Sequence, residues 1–117
     1  MKYVKNVSEP WFTLIGKGVK TVEGRLCKGD FAQISIGDTI VWTNDEIGQI
    51  SRSIKTQVVD IRHYTSFEKY LQSETLKKCL PTPGIRTIKE GVAVYRQFYN
   101  TQMEKEFGIC AIHIKRL

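Results

Sequence analysis

Between Gly18 and Leu26 the chain reads GVKTVEGRL, crowding Lys20, Thr21, Glu23 and Arg25 into six positions. An arginine offers a planar fork for a phosphate or a base edge, and a lysine offers a compact charge whose pKa falls on burial. A glutamate accepts hydrogen bonds from a base or takes a proton in catalysis, and a threonine adds a neutral hydroxyl. These types could bind a nucleotide. They could also cleave RNA without a metal, which needs a base for the 2′-hydroxyl, an acid for the leaving oxygen and cations for the phosphate. Glu23, Lys20 and Arg25 could fill those roles, with Tyr95 or Tyr99 assisting. A structural ion pair that props up a strand would use the same residues.

Which of these holds depends on the elements that carry the side chains. Strict strand alternation places Thr21, Glu23 and Arg25 on one face, and Lys20, Val22 and Leu26 on the other. Lys20 joins a common cleft only if the strand starts after it or is bulged, and Gly18 and Gly24 permit such irregularity.

Around this stretch the punctuation predicts short elements. Ser8 caps a first helix with Glu9 and Pro10 in its first turn and Trp11, Leu14 and Ile15 at helical spacing, ended by Gly16 and Gly18. A strand is expected over Val19–Leu26 and a loop over Cys27–Asp30. A short extended piece, a Gly37-Asp38 turn and a strand over Thr39–Trp42 follow, closed by Asn44 and Asp45. Ile50 to His63 reads as one bent strand or two pieces.

Beyond it, capping-box spacing recurs at Thr65/Glu68, Thr87/Glu90 and Thr101/Glu104, each ahead of a helical pattern. The clearest stripe is Ile88, Gly91, Val92, Tyr95, Phe98 and Tyr99. Gly108 then precedes a last strand over Ile109–Lys115. Strands before residue 65, helices after it and one returning strand imply an α+β domain with a curled sheet or small barrel.

A length of 117 residues fits one domain, and 41% hydrophobic with 26% charged residues is the composition of a globular chain. Eighteen Lys and Arg against twelve Asp and Glu give a net charge of +6, a surplus that favours polyanions such as RNA. No apolar run reaches the roughly 20 residues of a membrane span, and Met1 to Lys5 lacks a signal peptide's apolar stretch. An intracellular, cytoplasmic protein is therefore expected. Cys27, Cys79 and Cys110 are odd in number, widely spaced and beside apolar residues, which reads as reduced, mostly buried thiols. With no Cys-x-x-Cys pair and with His63 and His113 far apart, neither a metal site nor a cofactor is expected.

The pattern Gly-x-Lys-Thr-x-Glu-x-Arg at Gly18, Lys20, Thr21, Glu23 and Arg25, after a Trp-bearing helix and before the Gly37-Asp38 turn, resembles the ASCH domain family (activating signal cointegrator homology). YTSFEKYL, EGVAVYRQFY and EFGICAIHI resemble its later segments, so the similarity spans nearly the whole chain. The resemblance implies a single domain over residues 1–117, a PUA-like small β-barrel with flanking helices. It also implies an RNA-associated module with a cleft where Lys20, Thr21, Glu23 and Arg25 gather. Periodicity assigns Trp42, Phe67 and Tyr95 to the core, while the resemblance places Trp11 near the motif and Tyr64 beside a loop, making these two the stacking candidates.

One enzymatic branch of such proteins, which deacetylates acetylated cytidine, has Lys-Thr-x-Thr-x-Arg with the second Thr as nucleophile. Glu23 stands at that position here, so amidohydrolase activity does not carry over. The reading is thus a monomer binding RNA or a nucleotide. Its alternatives are a metal-independent ribonuclease or related hydrolase, with Lys20, Glu23 and Arg25 as catalytic residues, and a regulatory module that recognises a protein partner's acidic peptide.

Overall fold

The computed structural model describes residues 1–46 and 51–117, so the Ile50 end of the expected long strand lies outside the described residues. The strands are β1 (Lys2–Asn6), β2 (Val22–Leu26), β3 (Thr39–Asn44), β4 (Arg52–Tyr64) and β5 (Ile109–Arg116). Helices α1 (Trp11–Gly16), α2 (Phe67–Glu74), α3 (Leu76–Cys79), α4 (Ile88–Arg96) and α5 (Thr101–Phe107) accompany them, and a 3-10 turn covers Gly29–Ala32.

The strands form one sheet in the order β1-β3-β4-β5-β2, parallel at β1/β3 and antiparallel elsewhere. It curls into a half-barrel, the α+β architecture that the residue pattern implied. Its free edges, β1 and β2, are tied where Arg25 Nη2 donates to the Asn6 carbonyl at 2.9 Å. A bulge between Val58 and Asp60 bends β4, which is why its alternation changes face there.

Two apolar clusters sandwich the sheet. On one face Phe12 and Ile15 of α1 pack with Ile40, Trp42, Val58, Ile112 and Ile114. Trp42 is fully buried, its indole N–H donating to Thr56 Oγ1 at 3.0 Å. On the other face Val22, Leu26, Ile109 and Ala111 meet Phe67, Tyr70, Leu71 and Tyr95 from α2 and α4. Gly24 is required by this second contact: a Cβ there would lie 2.5 Å from Cζ of the buried Tyr70 ring. No described helix is long and apolar enough to cross a membrane.

Several local expectations are corrected. Strand β2 begins at Val22 rather than Val19, and β1, marked only by Tyr3 and Val4 among lysines, is an added edge strand. Glu9, not Ser8, serves the start of α1, accepting from Thr13 N at 2.9 Å and from its hydroxyl at 2.6 Å. Ser66 and Asn100 cap α2 and α5 in place of Thr65 and Thr101, whereas the Thr87/Glu90 box is complete. Helix α4 ends at Arg96, which leaves Phe98 largely exposed instead of in the inward stripe.

The expectation of three reduced thiols also fails. Cys27 and Cys110, separated by 83 residues, form a disulfide because antiparallel β2/β5 pairing brings their Cα atoms to 5.2 Å. Cys79 is the remaining, buried thiol, its pKa pushed up to about 11 by burial.

Candidate functional site

Lys20 is delivered by the turn that ends α1. Gly18 takes φ +72°, a conformation cheap only for glycine, and the amides of Val19 and Lys20 both return to the Leu14 carbonyl at 3.0 and 3.1 Å. Because β2 starts after Lys20, strand alternation does not govern its side chain. The ammonium donates to the Val22 carbonyl at 2.7 Å and to the Cys79 carbonyl, and lies 3.2 Å from Glu23 Oε1. Three acceptors thus meet its three N–H groups, and the side chain is buried.

Glu23 sits next along the strand, 6% exposed. Its other oxygen accepts from Arg25 Nε at 3.1 Å, with Arg25 Nη2 at 3.0 Å. Burial alone would raise this carboxyl's pKa, but the Lys20 ammonium and then the Arg25 guanidinium outweigh it and hold the group below its ordinary range. Arg25 lies between two rings, 5.1 Å from the centroid of Phe31 and 5.5 Å from that of Trp42. Its Nε and Nη2 are committed to Glu23 and Asn6, while Nη1 has no protein acceptor among the described residues.

This triad forms one wall of a cavity of about 190 Å³ in the gap between the sheet's free edges. Trp11 of α1 faces it from one side, and Tyr95, Phe98 and Tyr99, at the end of α4 and just past it, from the other. Asn6, Val7 and Ser8 form its β1 rim. Tyr95 Oη lies 3.2 Å from Tyr70 Oη, and burial pushes both phenols well above 10. Burial also raises Tyr99.

Not every sequence candidate reaches this cavity. Lys20, Glu23, Arg25 and Trp11 line it. Thr21 instead borders a second cavity with Thr56, Ile114 and Arg116, held there because its amide donates to the Lys78 carbonyl and its own carbonyl accepts from Ile114 N. Tyr64 is engaged away from the cavity lining, donating to Glu74 Oε2 at 2.7 Å and lying 3.1 Å from Ser73 Oγ. Sequence reasoning missed Asn6 and Phe98 as lining residues. The first depends on β1 becoming the facing edge, the second on α4 stopping one turn early.

Chemically, the arrangement favours recognition over proton transfer. A carboxylate with both oxygens committed to cations and a depressed pKa is a weak proton acceptor, and phenols raised well above 10 keep their protons. Arg25 Nη1, Trp11 and the exposed Phe98 remain for a ligand, whereas Tyr95 and Tyr99 already stack on Phe67. A metal-capable group arises elsewhere: the ligand atoms of Cys27, His63 and Cys110 lie within 4.8 Å of one another. The absence of short-range metal spacing gave no sign of it.

A model of the ASCH domain family matches residues 6–117. Among solved structures, the chain is similar to the hypothetical protein PH0355, with 38% identity, a TM-score of 0.86 and full coverage of both chains. It is also similar to protein PF0455 from Pyrococcus furiosus, with 37% identity and a TM-score of 0.77, over 100% of this chain and 98% of that one. No curated protein matches.

Proposed function

Since the chain belongs to the ASCH domain family, we propose that it is an RNA-associated domain that receives one unstacked base or nucleotide of single-stranded RNA in the cavity beside Lys20, Glu23 and Arg25. One observation carries this reading: aromatic side chains from two elements face a cavity whose wall holds a guanidinium with an uncommitted N–H pair. Aromatic faces accept any base, at about 1–3 kcal/mol per stacked base, and the guanidinium supplies a fork for a base edge or a phosphate. Within this reading Arg25 and Trp11 touch the ligand, and Glu23 orients Arg25. Lys20 neutralises and positions Glu23, because its own three donors are already committed. Thr21 and Tyr64, which lie elsewhere, have no contact role.

Titration with nucleosides, nucleotides, short RNAs and short DNAs, followed by tryptophan fluorescence and amide chemical shifts, tests this. Single-stranded RNA should shift resonances of β2, Trp11 and the Tyr95–Tyr99 segment, with affinity falling as salt rises. Flat titrations, or shifts confined to surfaces away from this cavity, would overturn the reading. Intact RNA after prolonged incubation is expected as well. Fragments lost in Glu23→Gln would restore the ribonuclease alternative.

A further inference from the structure

Strand register assembles a second group of side chains, at the opposite end of β2 from Lys20. Cys110 of β5 stands directly across from His63 of β4, and on its other side from Arg25, two residues before Cys27. Cys27 continues the chain past β2, its amide donating to the Gly108 carbonyl at 3.1 Å. The two sulfurs and a ring nitrogen of His63 all lie within 4.8 Å of one another. Cys110 is buried, Cys27 half-buried and His63 exposed, so the group runs from core to solvent.

We propose that reduction of the Cys27–Cys110 disulfide creates a binding site for one thiophilic divalent cation, of which zinc is the type, held by both sulfurs and the His63 imidazole. Zinc takes tetrahedral nitrogen and sulfur donors at about 2.0–2.3 Å. Donors around such an ion stand under about 4 Å apart, a spacing these three reach by side-chain rotation on a backbone already held by two strand pairings. The fourth position opens to solvent on the His63 side. Soft thiolates select zinc-like ions over magnesium or calcium, which take oxygen donors.

The redox balance is explicit. A dithiol reductant gives two electrons and two protons to the Cys27–Cys110 bond and becomes a disulfide itself. The S–S bond breaks to leave two thiols. The arriving cation then displaces the two thiol protons to solvent, and neutral His63 donates a ring lone pair. Disulfide and metal site are therefore alternative states of the same clasp. In either state the end of the strand bearing Glu23 and Arg25 is fastened to β5, and the metal state adds β4 through His63.

Cobalt(II) titration of the reduced full-length chain under anaerobic conditions reads the site directly. One cobalt per chain should bind, with a thiolate-to-cobalt charge-transfer band and intense tetrahedral visible bands, all bleached by zinc and unaffected by magnesium. Cys27→Ser should weaken cobalt binding and lower the charge-transfer intensity per bound cobalt, because only the Cys110 thiolate remains. His63→Ala should weaken binding at least as much as the roughly 10- to 100-fold that loss of a supporting partner costs. Both positions reach solvent, so these variants keep the fold, checked by circular dichroism. Zinc should raise the melting temperature of the reduced chain, raise that of Cys27→Ser less and leave that of the oxidised chain unchanged. Absence of the band in the reduced chain, equal binding by the oxidised chain, or indifference to either substitution would overturn the proposal.

Discussion

Two buried carboxylates, both near the β2/β5 pairing, invite comparison. Glu23 on β2 is clamped by Lys20 and Arg25, and Glu74, at the end of α2 and 2% exposed, is met by His113 at 3.0 Å, Arg62 at 3.7 Å and the Tyr64 hydroxyl at 2.7 Å. Each is held by charge and hydrogen bonding, as a buried charge must be. His113 Nε2 approaches Glu74 without forming a hydrogen bond and leaves Arg62 and the Tyr64 hydroxyl to hold it. The two carboxylates differ in what adjoins them. Glu74 is enclosed by its own partners, while Glu23 stands against a cavity with aromatic sides and a neighbouring guanidinium that still has donors to offer. A cluster of charge alone thus separates neither function from support. The adjoining space and the uncommitted donors do.

The sharpest way to break this comparison is to remove one partner from each carboxylate. Lys20→Met leaves Glu23 and two carbonyls short of a fully buried cation, and should cost about 3–5 kcal/mol in urea denaturation. His113→Ala leaves Glu74 with Arg62 and Tyr64 and should cost distinctly less. Equal losses would mean that Lys20 is no more essential to its carboxylate than His113 is to Glu74.

Acid tests the same pairing. The Glu23 pKa is lower in the folded chain than in the unfolded one, so its contribution to stability is complete above pH 4.5 and disappears as pH falls through the folded-state value. Glu9 and other depressed carboxyls add their own acid loss. The Glu23 share should therefore appear as a shallower decline of stability below about pH 5 in Glu23→Gln than in the parent.

Binding should separate the two regions next. Trp11→Ala is expected to weaken single-stranded RNA by about 1–3 kcal/mol in fluorescence or calorimetric titrations, without altering the salt slope. The smallest effect on binding belongs to Tyr64→Phe. It should leave RNA affinity unchanged and lower stability by about 1.5 kcal/mol, the low end for a hydrogen bond to a charged group. A loss of affinity there would erase the distinction between the two carboxylates.

Much of this site was legible before folding, though unevenly. Lys20, Glu23 and Arg25 were identifiable by type and spacing, and the suspicion that Lys20 converges only if the strand starts late is met by β2 beginning at Val22. Thr21, in the same run, diverges because backbone bonds to Lys78 and Ile114 fix it beside a different cavity. Glu104 shows a similar limit. Its spacing from Thr101 predicted a local capping box, but the carboxylate is drawn across the fold to Arg96 at 3.0 Å and Phe67 N at 2.8 Å. Local rules describe which partners are near in sequence, and a buried carboxylate takes the better cation wherever the fold supplies one.

The amino-acid sequence by itself determined the α+β order of elements, the family pattern from Gly18 to Arg25 and the presence of a cation-carboxylate cluster, because periodicity, turn chemistry and residue type act over short range. Tertiary structure alone decided that the two sheet edges would meet across Arg25 and Asn6 to leave an aromatic-sided cavity. It also decided that Tyr64 would serve Glu74, and that Cys27, His63 and Cys110 would share one place. Those outcomes rest on strand register and sheet curl, which join residues as far apart in sequence as Val22 and His113 and are set only when the apolar faces pack.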